Sequence, residues 1–182
     1  MVDPLSLAVL GGAAATEGIK FLYGQAAEVI KAWRARRKDR EQPLEVPIVE
    51  TSVLDAQPSG ATVDPAVLTQ VHTTMLNLWQ QLAPYAQDLE NVEDTDVRLA
   101  RAAAELRALL EAAYGQRFTF RGEHREPTGT RVAVAQVLGT VAGQAVGVEG
   151  DIGPAAAVVV RQDADEVTPE GTVIGVKGRI SG

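Results

Sequence analysis

The last third of the chain says the same thing twice. Residues 131–153 read RVAVAQVLGTVAGQAVGVEGDIG, and residues 157–182 read AVVVRQDADEVTPEGTVIGVKGRISG. Gln136 matches Gln162, and Val141 matches Val167. After two extra residues, Gly147-Val148-x-Gly150-x-Ile152 matches Gly175-Val176-x-Gly178-x-Ile180. A valine-rich, glycine-punctuated unit of about 26 residues copied once is the mark of a duplicated β-supersecondary element. Each copy holds a first strand (Val132 to Leu138; Ala157 to Arg161) and a second around the Gly-Val-x-Gly-x-Ile unit. Two arrangements fit: rungs of a short β-solenoid or paired hairpins, and a small antiparallel sheet. Two rungs alone would leave both faces bare, which tells for the antiparallel sheet.

The preceding residues carry helical periodicity. Asp3-Pro4 is a helix start, since aspartate can accept free amides and proline suits the first helical position. A helix is predicted from there to about Lys38, with Ile19, Leu22, Tyr23, Ala26, Val29, Ile30 and Trp33 on one side. Its first half, LSLAVLGGAAA, is apolar all round, and Gly11-Gly12 lets it bend. Residues 41–63, with prolines at 43, 47 and 58, read as a linker that wraps or flexes. Asp64-Pro65 opens a second helix, which Pro84 should kink or end. A third, Thr95 to Tyr114, stops at Gly115. Phe118-Thr119-Phe120 alternates as a strand should. The expected fold class is α+β: a bundle of three to four helices (1–40 and 64–115), then a β-rich two-repeat domain over 116–182.

Several function classes lose support at this stage. A net charge of -7 lacks the basic footprint that general nucleic-acid binding needs. The absence of cysteine removes disulfides, thiolate nucleophiles and thiolate metal sites. His72 reads as a helix flank and His124 as a solvated turn residue. No nucleophile elbow or metal-ligand spacing appears, so no catalytic residue, metal or cofactor is expected. The glycines around 147–153 are not followed by lysine and serine or by a helix, so they read as turns and not as a phosphate cradle.

The basic knot Arg34, Arg36, Arg37, Lys38 and Arg40 has two readings. It is a solvated helix end that suits the helix's own negative pole, or it attracts anionic lipid beside an apolar helix. On the second reading the membrane-interacting residues are Leu5, Leu7, Val9, Leu10, Leu22, Trp33 and those five bases. The opening Met1-Val2-Asp3 is acidic where a secretory signal would be basic. The uncharged run from Pro4 to Thr16 makes roughly 20 Å of helix, against about 30 Å for a bilayer core. A cytoplasmic protein, membrane-associated on activation, is the expectation.

The opening Val2-Asp3-Pro4-Leu5-Ser6-Leu7-Ala8, followed by a small-residue apolar helix, resembles the start of HeLo-type helical domains. These belong to fungal prion-controlled cell-death proteins, and bacterial domains of the Bell group begin similarly. The resemblance implies a helical bundle with a membrane-active first helix and a C-terminal two-repeat segment that assembles. The stretch Tyr114 to Glu123 also looks like a signature of uncharacterised actinobacterial proteins, which implies no activity.

Together these readings predict a non-enzymatic, self-assembling protein. Its membrane-targeting or defence role would use the first helix, and its homo-oligomeric contacts would use the repeats. The assembly residues are then Val141, Gly147, Val148, Ile152, Val167, Gly175, Val176 and Ile180. The alternative is a scaffold whose repeats polymerise or bind a protein partner without membrane activity.

Overall fold

The computed structural model describes residues 7–36, 44–58, 60–149 and 157–178. The chain is α+β and divides into two compact units, Met1–Thr128 and Gly129–Gly182.

The first unit is helical. Instead of one long leading helix, α1 (Leu7–Leu10) and α2 (Gly12–Ala35) are separated at Gly11, whose φ of 76° no helix accommodates. The break falls where the sequence placed a bend. Along α2, Ile19, Leu22, Ala26 and Val29 recur at three- and four-residue steps and are completely buried. Each large apolar side chain so buried contributes about 1.5–3 kcal/mol. α3 (Pro65–Ala86) starts at Asp64, whose carboxylate accepts from the Ala66 N–H at 2.7 Å. α4 (Val97–Tyr114) starts at Asp96, which accepts from the Arg98 and Leu99 N–H groups at 3.0 and 2.9 Å. It ends at Gly115 in the left-handed conformation. Pro84 does not end α3. It sits in the last turn, where the bond it cannot donate is one of few remaining, and the helix runs on to Ala86.

The described residues between 44 and 63 are fastened down, not loose. β1 (Leu44–Glu45) pairs antiparallel with β2 (Thr62–Val63). The buried Gln25 amide accepts from the Val49 N–H at 3.0 Å and donates to the Pro47 carbonyl at 3.2 Å. It also donates to the Tyr114 hydroxyl at 2.5 Å, which in turn donates to the Val46 carbonyl at 3.0 Å. Burial pushes the Tyr114 phenol well above its ordinary pKa. The connector is therefore clamped to α2 and α4 through its own backbone.

The helical unit also extends further than the sequence suggested, to Thr128 and not to 115. β3 (Gln116–Arg117) is only two residues long, and Phe118, Thr119 and Phe120 are all buried. The residues alternate as expected, but without a difference in burial, because both sides of this extended segment are covered. Phe118 and Phe120 stand edge-on to Phe21, with centroids at 5.8 and 6.3 Å. On the other side the Thr119 hydroxyl donates to the Glu126 carbonyl at 2.6 Å, while the Thr119 main-chain carbonyl accepts from the Asp55 N–H at 3.0 Å.

Among the described residues, the second unit holds four strands: β4 (Gly129–Val141), β5 (Gln144–Glu149), β6 (Ala157–Val167) and β7 (Thr172–Lys177). The antiparallel arrangement favoured from sequence is not what forms. β4 pairs with β6, and β5 with β7, both in parallel. Parallel strands need a long crossover between them. Here β5 lies within the connection from β4 to β6, so the repeat length supplies the crossover. The register follows the duplication: Gln136 lies opposite Gln162, Val141 opposite Val167 and Val148 opposite Val176. The two extra residues fall in the corner after β6. There the Thr168 N–H donates to the Val141 carbonyl at 3.0 Å and the Thr172 N–H to the Gly143 carbonyl at 2.8 Å. The longer corner of the second copy thus lies against the shorter corner of the first.

Candidate assembly surface

The pairing of each residue with its own counterpart makes the second unit a stack of two equivalent layers. Inside it, the Gln162 amide nitrogen donates to the Gln136 amide oxygen at 2.8 Å, and Gln136 donates to the Val146 carbonyl at 3.4 Å. Turned over, the Gln162 amide reaches the Ile174 carbonyl at 3.2 Å, and Ile174 is the register partner of Val146. The two orientations of Gln162 are alternatives: in one its amide meets Gln136 across the layers, and in the other it makes within its own layer the bond that Gln136 makes in the first.

Layer-to-layer charge is complementary as well. Lys177 meets its register partner Glu149 at 3.0 Å. The pair is well exposed, so it selects a neighbour more than it stabilises the unit.

Gly147 is a place where the layers approach closely. A Cβ there would lie 2.6 Å from the Gly175 carbonyl oxygen and collide with the Val160 side chain. Only glycine fits. Gly175 occupies the same place in the second layer, yet a Cβ there would meet nothing within 4 Å.

The other expected assembly residues divide. Val141 is buried, Val148 and Val176 are half-buried, and Val167 is exposed. Ile152 and Ile180 lie outside the described residues. β6 ends its sheet, and β5 and β7 form a two-stranded sheet of their own. Among the described residues, the outer edges of β6 and β7 therefore present backbone amides and carbonyls with no strand partner. Val137, at 85% exposure, adds a large apolar side chain to the surface of the first layer.

The residues proposed for membrane contact are dispersed. Leu7 and Leu22 are buried in the helical core at 1% and 0% exposure, and Leu10 packs against that core. The apolar face of α2 is thus occupied by α3, α4 and the connector. Val9 lies in α1. Trp33 is half-buried, with the His72 ring 5.9 Å away and the Arg36 guanidinium 5.9 Å above it. Arg34 is exposed, while Leu5, Arg37, Lys38 and Arg40 lie outside the described residues. Among the described residues no helix is long and apolar enough to cross a membrane. Nor do the described residues hold a group of three or more metal-ligating side chains.

Sequence reasoning picked out the paired glycines and valines. It did not find the Glu149–Lys177 pair or the contact between glutamines. Both were signalled by equivalent repeat positions carrying opposite charges or identical amides. Compared with family models, with curated proteins and with solved structures, the chain matches none.

Proposed function

We propose that this is a non-enzymatic self-assembling protein whose duplicated β unit is a short solenoid that joins one copy to another. The observation that carries the reading is register. Every described pair joins a residue to its counterpart in the other copy, so each layer is already built to accept its like. An unpaired outer edge extends the same logic beyond one chain. The helical unit is then the part displayed by the assembly.

The test is size against concentration, by light scattering and electron microscopy of the full chain. Growth into large species supports the reading. A monomer at every concentration overturns it.

A second reading, membrane activity of the HeLo or Bell type, is favoured by the Gly11 break that sets α1 apart from α2. It requires the bundle to open, because Leu7 and Leu22 would have to leave the core. Dye release from anionic liposomes by the assembled full-length protein tests it. Its absence with normal assembly leaves the scaffold role alone.

A further inference from the structure

The geometry points to a binding site for a small apolar monocarboxylate in the helical unit, between the C-terminal end of α2 and the N-terminal half of α3. A cavity of about 250 Å³ opens there. Its floor is Val29, Leu68 and Met75, each at most 1% exposed. Half-buried Trp33 and Leu76 form its walls, and the exposed Arg34 and His72 stand at its mouth. A cavity of ~150 Å³ already holds benzene, and drug-sized ligands need roughly 300 Å³ or more. The space therefore suits one ring or a short alkyl chain, and not a long acyl chain.

Charge decides what the polar end of that ligand must be. No carboxylate lines the cavity, although the chain as a whole carries -7. Among the described residues Arg34 has no carboxylate partner, whereas Lys31, one turn earlier, is paired with Glu28 at 3.7 Å. Arg36 brings a second guanidinium 5.9 Å above the Trp33 ring. His72 turns Nδ1 to the Leu68 and Thr69 carbonyls, both at 3.2 Å. Carbonyls only accept, so Nδ1 carries a proton and Nε2 is the ring's remaining polar atom. Nε2 lies 3.3 Å from the Thr73 hydroxyl, and in the imidazolium it is a further donor at the mouth. The negative end of α2 and the positive end of α3 lie side by side here, so their fields offset and the side chains set the sign. A carboxylate takes paired N–H bonds from a guanidinium, while its apolar part covers the floor against the Trp33 ring. An amine would be repelled by Arg34 and Arg36, and a neutral ligand would lack the anchor.

Calorimetry of the full natural chain with phenylacetate and its neutral isostere phenylacetamide tests the site. Phenylacetate should bind with a Kd on the order of 1 mM, and phenylacetamide about tenfold more weakly. Trp33 reports the location. In Trp79→Phe, which leaves Trp33 as the only tryptophan, its emission should follow the same saturation curve. Arg34→Gln, at an exposed position, should abolish the preference for acid over amide and leave amide binding as it was. Leu76→Phe narrows the cavity and should remove both. No saturable heat with phenylacetate overturns the inference. So does equal affinity for acid and amide, which reduces the cavity to an apolar gap, and so does an Arg34→Gln variant that keeps the preference. Unchanged binding by Leu76→Phe with a natural melting temperature places the ligand elsewhere and also overturns it. Should that variant melt lower, Arg34→Gln decides alone. The site lies wholly in the helical unit, so none of these outcomes depends on self-assembly.

Discussion

The Arg107 guanidinium donates to both carboxylate oxygens of Glu123, at 2.6 and 2.8 Å. The two side chains are only 2% and 8% exposed. The guanidinium also lies 5.6 Å from the centre of the Phe120 ring, and Glu123 accepts the Phe120 N–H at 2.8 Å. Together they fasten the 116–128 segment to α4 inside an apolar core.

Removing one partner of this buried pair should therefore be costly. Glu123→Ala leaves the cation in place without its carboxylate and should lose about 3–5 kcal/mol of stability. Arg107→Met with Glu123→Leu should lose much less. Urea denaturation of both variants measures the difference, and equal losses would show that the charges themselves contribute little.

The two glycines should respond differently to the same methyl group. Gly147→Ala forces the layers apart and should cost about 1–3 kcal/mol. Gly175→Ala should change the monomer by less than about 0.5 kcal/mol. Thermal unfolding at high dilution, where assembly is absent, reads both.

Asp96 gives α4 an acid-sensitive start. The Leu99 N–H bond, followed by the Tyr85 hydroxyl, holds its carboxyl below the ordinary 3.8. A depressed carboxyl contributes stability that is complete above its unfolded value and is lost as pH falls through the folded one. Asp96→Ala should thus cost about 1 kcal/mol near neutrality and flatten the acid limb of the stability curve below about pH 4. Tyr85, pushed up to about 12 first by burial and then by the Asp96 carboxylate, should titrate lower in the same variant. Ultraviolet pH titration follows it.

Val148 and Val176 are half-buried register partners. Lysine at either place would set a cation within the stack with no carboxylate opposite it. Each variant should prevent pelleting of assembled protein in a sedimentation assay, because desolvating an unpaired charge opposes addition of the next layer. Natural levels of pelleting by both would show that this face is solvent in the assembly.

Much of the helical unit was legible because its signals are local. Asp64-Pro65, Gly115 and the three- and four-residue spacing of Ile19, Leu22, Ala26 and Val29 each act within a turn or two. The fate of residues 116–128 was not legible, because Phe118 and Phe120 are held by Phe21 and by the 53–55 segment, far away in sequence. Strand direction in the repeats was misjudged for a related reason. Alternation in a strand such as β4 is the same whether its neighbour runs parallel or antiparallel. The deciding fact is that each residue finds its own counterpart, and only the duplication as a whole carries it. Leu7 and Leu22 show the ambiguity most plainly, since an apolar helix face fits a bundle core as well as a lipid surface.

Like-with-like pairing of β4 and β6 has a consequence for how such a segment can lengthen. A hairpin partner must be rewritten when another strand is appended, because its complement runs the opposite way. Here another tandem duplication at the level of the gene would arrive with its neighbour's requirements already met, and the unit could grow by copying alone.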